Sequence, residues 1–266
     1  MKKLEFDYEM TLEFSEPVTD HRFQLRCIPA TGPRQQIVDT QMDLQPEAEL
    51  ETLVDSFGSL VACGYIPQAH DSFSYRVSGI AFVDNAATKP ELFKPLYRFD
   101  SALTTPGPCL EKLIGVCRER IQALPTDASP IDKASEAMHE VFEAFTYTPG
   151  ATTIRTTAEE ALAQRKGVCQ DYAHVMLAAC RHVGVPARYI AGMLGGEGAT
   201  HAWVEVYHDG RWIGLDPTHN RLVDDSYITI AHGRDYRDCM LDIGVFSGVA
   251  VQQTQMVHVS VHEQGK

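Results

Sequence analysis

Apolar and polar side chains alternate from the start of the chain. Leu4, Phe6, Tyr8, Met10, Leu12 and Phe14 hold one parity; Glu5, Asp7, Glu9, Thr11 and Glu13 hold the other. Period 2 predicts a strand with one wet face, and the acids read as that solvated face. Glu16-Pro17 interrupts the pattern, and Phe23-Gln24-Leu25-Arg26-Cys27 resumes it. Further strand-like runs cover residues 37–44, 59–63, 73–77 and 80–83, punctuated by Thr31-Gly32-Pro33, Gly58, Gly64 and Asp84-Asn85. Short strands at this spacing predict an antiparallel, sandwich-like or curled β domain over residues 1–105.

The period changes after Pro106-Gly107-Pro108. Leu110, Leu113, Ile114, Cys117 and Ile121 follow helical spacing as far as Pro125. Ile131, Ala134, Met138, Val141, Phe142 and Phe145 predict a second helix with Pro130 near its start. Thr157 followed by Glu160 is a capping-box signature for a short helix over 158–165. A strongly apolar helix over 169–182 ends at Gly184 and Pro186, and strands follow over 187–193, 201–207 and 211–216. The tail from Tyr227 alternates in places, and Val257, Val259 and Val261 read as a last strand. Residues 106–266 are therefore a second, α+β unit.

Composition narrows the function classes. Against 23 Lys and Arg stand 36 Asp and Glu, a net charge of −13, and 44% of residues are hydrophobic. That is ample for a core. It argues against nucleic acid or an anionic membrane surface as partner, since both reward basic patches. The start shows no secretory signal and no run is long and apolar enough to span a membrane, so a cytosolic location is expected. Seven scattered cysteines without a CxxC pair make a poor disulfide framework and give no support for zinc. In a reducing compartment one of them is free to act as a nucleophile.

Cys169 is the candidate. It follows Gly167-Val168 and opens the apolar helix, where the positive end of the macrodipole favours a thiolate and free N–H groups can bind an oxyanion. The segment from His201 to Asp216 supplies its partners. Asp209-Gly210 between two apolar runs predicts a two-residue hairpin turn. Pairing His208 with Arg211 places Asp216 opposite Trp203, hence diagonal to His201 on one face. Cys, His and Asp so placed form a nucleophilic triad: Cys169 attacks a carbonyl, His201 moves the proton, and Asp216 fixes the imidazole. His174, about 140° around the helix from Cys169, cannot face the thiol. Cys180 is read as core. His219 is a candidate for the cleft rim, Gln170 and Asp171 for cleft support, and Trp203 for core or cleft wall. Tyr147 is a candidate second oxyanion donor, with a packed aromatic as the plainer alternative.

Four segments carry a family resemblance. Arg165-Lys-Gly-Val-Cys169-Gln-Asp-Tyr-Ala-His174, Gly184-Val-Pro-Ala-Arg-Tyr189, His201-Ala-Trp-Val-Glu205 and Trp212-Ile-Gly-Leu-Asp-Pro-Thr218 resemble, in order, the core of the transglutaminase-like superfamily of cysteine enzymes. Phe14-Ser-Glu-Pro-Val18, Leu25-Arg26, Asp55-Ser-Phe-Gly58, Gly233-Arg-Asp-Tyr236 and Gly244-Val-Phe-Ser-Gly248 resemble its bacterial branch, with Ser59 where that branch leads one to expect Asn. The resemblance implies a papain-like α+β catalytic core with Cys169, His201 and Asp216 as triad, no metal or organic cofactor, and a peptide or amide substrate. Relatives cross-link glutamine to amines, hydrolyse peptides or amides, or remove glycans from asparagine. The expectation is a cysteine peptidase or amidase, with glutamine acyl transfer as the alternative and, from another class, a non-catalytic binding module on the same fold.

Overall fold

The computed structural model describes residues 1–87 and 89–265. The first part of the chain is antiparallel sheet: β1 Lys2–Leu25, β2 Gln35–Gln45, β3 Leu50–Val54, β4 Leu60–Ile66 and β5 His70–Val83. The two runs expected before Pro29 form one long strand. A shift in the β1–β5 register between Glu13 and Val18 absorbs Glu16-Pro17. A proline has no ladder N–H, so it bends the strand at a bulge rather than ending it. Residues 73–77 and 80–83 likewise fuse into β5, with Gly79 lying against the Phe6 ring. Leu4, Phe6, Tyr8 and Met10 point into the core, as their parity requires.

Helices α1 Pro108–Gln122 and α2 Pro130–Ala144 lead to β6 Thr146–Tyr147, α3 Ala158–Gln164, β7 Lys166–Gly167 and α4 Cys169–His182. The Thr157–Glu160 capping box forms as expected, each side chain accepting from the other's backbone N–H. Helix α4 is buried from Asp171 to Arg181. The chain continues through β8 Ala187–Leu194, β9 Gly196–Gly198, β10 His201–His208, β11 Arg211–Asp216, β12 Arg221–Leu222 and β13 Tyr227–Gly233. Five of these make an antiparallel sheet in the order β12-β11-β10-β8-β13. Ala187, Tyr189, Ala191, Ala202 and Val204 share one continuous core with α4, while Ile190, Trp203 and Tyr227 form a small separate cluster.

The tail returns to the front of the molecule. Strand β14 Asp242–Ser247 pairs with the end of β1, and β15 Gln253–Glu263 pairs with its beginning, Leu4↔Glu263 through Phe14↔Gln253. Residues near the C-terminus thus belong to the first sheet, whose strand path is β2-β5-β1-β15-β9. Among the described residues no helix is long and apolar enough to cross a membrane.

Candidate active site

Three side chains from three elements meet at one end of the five-stranded sheet. Cys169 is the first residue of α4, so its amide and that of Gln170 stand where a helix has no acceptor of its own. Asp171 Oδ2 holds the approach, accepting from Val168 N at 2.8 Å and from Thr152 Oγ1 at 2.7 Å. Gly167 is pressed against that carboxylate, where a Cβ would collide with it. The entry to the helix is therefore fixed by a buried acid.

The hairpin delivers the other two. Asp209 and Gly210 both have positive φ, 47° and 75°, as a primed two-residue turn demands. The pairing runs His208↔Arg211 to Val204↔Leu215, the expected register. His201 Nε2 donates to Asp216 Oδ2 at 2.8 Å. That tautomer leaves Nδ1 for Cys169, whose sulfur interacts with the imidazole across the cleft they both line. Burial opposes the charge on His201, but hydrogen bonds to Asp216 and to the sulfur outweigh it and hold the imidazole up at about 9.

Asp216 is fully buried and heavily bonded. Its Oδ2 also accepts from His219 Nδ1 and from Tyr227 Oη, each at 2.7 Å, and Oδ1 accepts from Thr218 N at 2.9 Å and His219 N at 3.3 Å. Burial alone would raise this carboxyl; the hydrogen bonds from His201, His219 and Tyr227 hold it far below the ordinary carboxylate range. His201, Asp216 and His219 bring three ligand-type atoms within 4.8 Å of one another. Both imidazoles bonding one oxygen accounts for that closeness.

The other candidates fall in different places. Gln170 lines the thiol cleft. Tyr147 is 53% exposed, and its phenol is raised by partial burial and by the neighbouring Cys169, so it stands beside the thiol rather than packed in the core. His219 lies 5.3 Å from His201, centroid to centroid, and does not line the thiol cleft. Trp203 is 1% exposed, packs on Gly192 and edge-on to Tyr227, and borders a different cavity of about 210 Å³ with Glu205. His174 is buried away from the thiol and accepts from Tyr236 N. All seven cysteines are free, and Cys180 is core.

Sequence reasoning missed three participants. Tyr227 was legible only as a strand start. Glu205, two residues beyond Trp203, anchors a buried network with Arg188 at 2.6 Å and Arg34 at 2.7 Å. Burial would raise its carboxyl, but the two guanidiniums bring it down to about 2. Asp242 enters the thiol cleft from the tail. Glu205 closes one of the resembling segments, but no local pattern names the partners of these three residues, which lie elsewhere in the chain.

Comparisons with known proteins bear on the family and the fold. Residues 118–217 match the model of the Transglutaminase-like superfamily, and residues 4–81 that of the Bacterial transglutaminase-like N-terminal region. An uncharacterized protein of Mycobacterium leprae is 25% identical over 88% of this chain and 90% of its own. A protein-glutamine gamma-glutamyltransferase of Pseudomonas aeruginosa is 35% identical over 30% of this chain and 14% of its own. The crystal structure of "a Putative Cysteine Protease from Cytophaga hutchinsonii" covers 100% of this chain and 91% of that one at 21% identity and a TM-score of 0.80, so the two share a papain-like α+β fold. The chain belongs to the transglutaminase-like superfamily, and it carries that superfamily's bacterial N-terminal β region ahead of the core.

Proposed function

We propose that the protein is a cysteine peptidase or amidase working through a thioester on Cys169. The observation that carries this reading is the chain of contacts from the helix-start thiol through His201 to the buried carboxylate of Asp216. The Cys169 thiolate attacks the carbonyl carbon of an amide, and the oxyanion that forms is met by the amides heading α4. The C–N bond breaks as His201 hands its proton to the leaving amine. Water then attacks the thioester, His201 takes the proton, and the thiolate leaves. Asp216 keeps the imidazole in the Nε2–H tautomer and offsets its charge. Tyr147, exposed and near enough to Cys169 to sense its charge, is proposed as a second oxyanion donor. Residues 1–105 and 106–266 are proposed as a β-rich N-terminal domain and a transglutaminase-like catalytic domain, in a reducing cytosol that keeps the thiol free.

Cys169→Ala is expected to abolish both turnover of a fluorogenic peptide-amide library and labelling of this position by iodoacetamide at low pH. Full activity in that variant would refute the nucleophile. Glutamine acyl transfer is the second reading, favoured by the similarity of about a third of the chain to the gamma-glutamyltransferase. A glutamine peptide offered with a labelled primary amine separates the two: hydrolysis outrunning incorporation supports the amidase. A thiol with ordinary reactivity and no burst with activated esters would point to a binding module.

A further inference from the structure

The cleft that holds Cys169 has a volume of about 220 Å³, and part of its wall comes from the other sheet. Tyr8 of β1, Asp242 of β14, and Gln255 and Val257 of β15 line the cleft there. Asp242 is the only carboxylate lining this cleft among the described residues. It is half-buried, and Gln255 Nε2 donates to its Oδ2 at 2.6 Å.

Among the described residues no cation pairs with it. Arg26, just past the end of β1, is turned onto Asp55 at 3.0 Å and the Met240 carbonyl at 3.2 Å. Tyr8, Tyr75, Tyr236 and Cys27 are near enough for the Asp242 charge to raise them, and burial pushes all four further toward neutrality. The Asp242 carboxyl itself is raised, because burial outweighs its hydrogen bonds. The one raised imidazole in the same cleft, His201, is bonded to Asp216 and to the thiol, so Asp242 is a carboxylate taken partly out of water with no cation in contact, a cost that an arriving cation offsets. Beyond the Asp242–Gln255 pair the depression continues as a second hollow of about 90 Å³, lined by Phe23, Phe73 and Phe246. The ground next to the anion thus combines these aromatic rings with the polar side chains of His21, Gln253 and Gln255, a mixture that can seat the stem and the polar groups of an extended substrate.

We propose that Asp242 is a substrate-recognition residue that binds an ammonium or guanidinium group of the acyl substrate on the N-terminal-sheet side of the thiol. The proposal rests on Cys169 as the nucleophile. It commits the enzyme to cationic peptides or amides. It also gives the first sheet a task, since β14, paired with β1, carries the specificity carboxylate to the thiol cleft.

The first experiment needs no knowledge of the substrate. Cys169 is labelled with methanethiosulfonates bearing a trimethylammonium, no charge or a sulfonate, and the rate at this residue is read by mass spectrometry of its peptide. The ratio of cationic to anionic rates should fall at least about fivefold in Asp242→Asn and be kept in Asp242→Glu, with thermal melting confirming the fold of each. An unchanged ratio in Asp242→Asn overturns the proposal even where the thiol is fully reactive. A Cys169 that labels no faster than half-exposed Cys63 fails the nucleophile instead, so the two failures are distinguishable.

The second experiment uses peptide amides carrying lysine or norleucine, each with a free or an acetylated N-terminus. Asp242→Asn should raise KM about tenfold for whichever member carries the recognised cation, with kcat and the neutral peptides nearly unchanged. The lysine and N-terminal arms tell a side-chain ammonium from an α-ammonium. An effect confined to an added primary-amine acceptor, with every acyl peptide unaffected, also overturns it.

Discussion

One carboxylate oxygen, Asp216 Oδ2, accepts from two imidazoles and a phenol, and only one of those imidazoles lines the thiol cleft. The two histidines therefore predict opposite outcomes. His201→Ala is expected to lower kcat by about a hundredfold or more, the usual worth of a positioned acid–base group. His219→Ala, at a side chain 44% exposed, should leave kcat within a few-fold; equal losses in both would show that His201 is not the proton carrier. The pH profile follows from the same contacts. His201 must be protonated to serve the leaving amine, so kcat/KM should decline above about pH 9. Asp216→Asn removes the main group holding the proton and should move that limb down. For stability the sign is the same. A raised histidine stabilises fully below its unfolded value near 6.5, and that contribution is lost as pH rises through about 9. At this scale the sequence was informative where the partners lie in one hairpin, His201 and Asp216. It was silent on Tyr227, whose hydroxyl reaches Asp216 across the sheet.

Elements place these atoms because each is over-determined by its neighbours. The hairpin register was legible since a single dipeptide, Asp209-Gly210, sets it, and a slip of one residue would turn His201 and Asp216 to opposite faces. The start of α4 was legible from the Gly-Val-Cys step into an apolar run. What local alternation cannot state is which strand lies beside which. Gly192 on β8 illustrates this: His201 pairs with it, and a Cβ there would strike both the Ile228 carbonyl and the Trp203 ring. Nothing in the run Ala191-Gly192-Met193 signals that approach. Gly192→Ala should therefore destabilise the fold by about 1–3 kcal/mol, the usual cost of overpacking a core. It should also reduce activity, because Trp203 stacks near His201, with ring centroids 6.3 Å apart. Urea unfolding gives the first quantity. A stability equal to wild type would mean that the strands separate freely at this point.

At the scale of the whole molecule, the division near residue 105 describes the order of patterns along the chain better than the packing. The edge of β1 from Leu4 to Phe14 is covered by β15, and its other end by β14 and β4. Val259 and Val261 are buried in the same continuous core as Leu4, Phe6 and Tyr8. A period-2 run says which residues face inward, not that its partner lies about 240 positions later, so this closure was invisible in the sequence. It has a physical consequence. A fragment of residues 1–105 would carry β1 with an open edge and an apolar face missing its cover, the situation that leads to aggregation rather than folding. That fragment is expected to show no cooperative thermal transition and poor amide dispersion. Supplying a peptide of residues 242–263 should restore part of both, because the missing strands add by main-chain pairing. A fragment that folds alone with a sharp transition would show that β15 is dispensable to the first sheet. The β region would then be an independent module rather than a wall held against the thiol cleft by the chain's own tail.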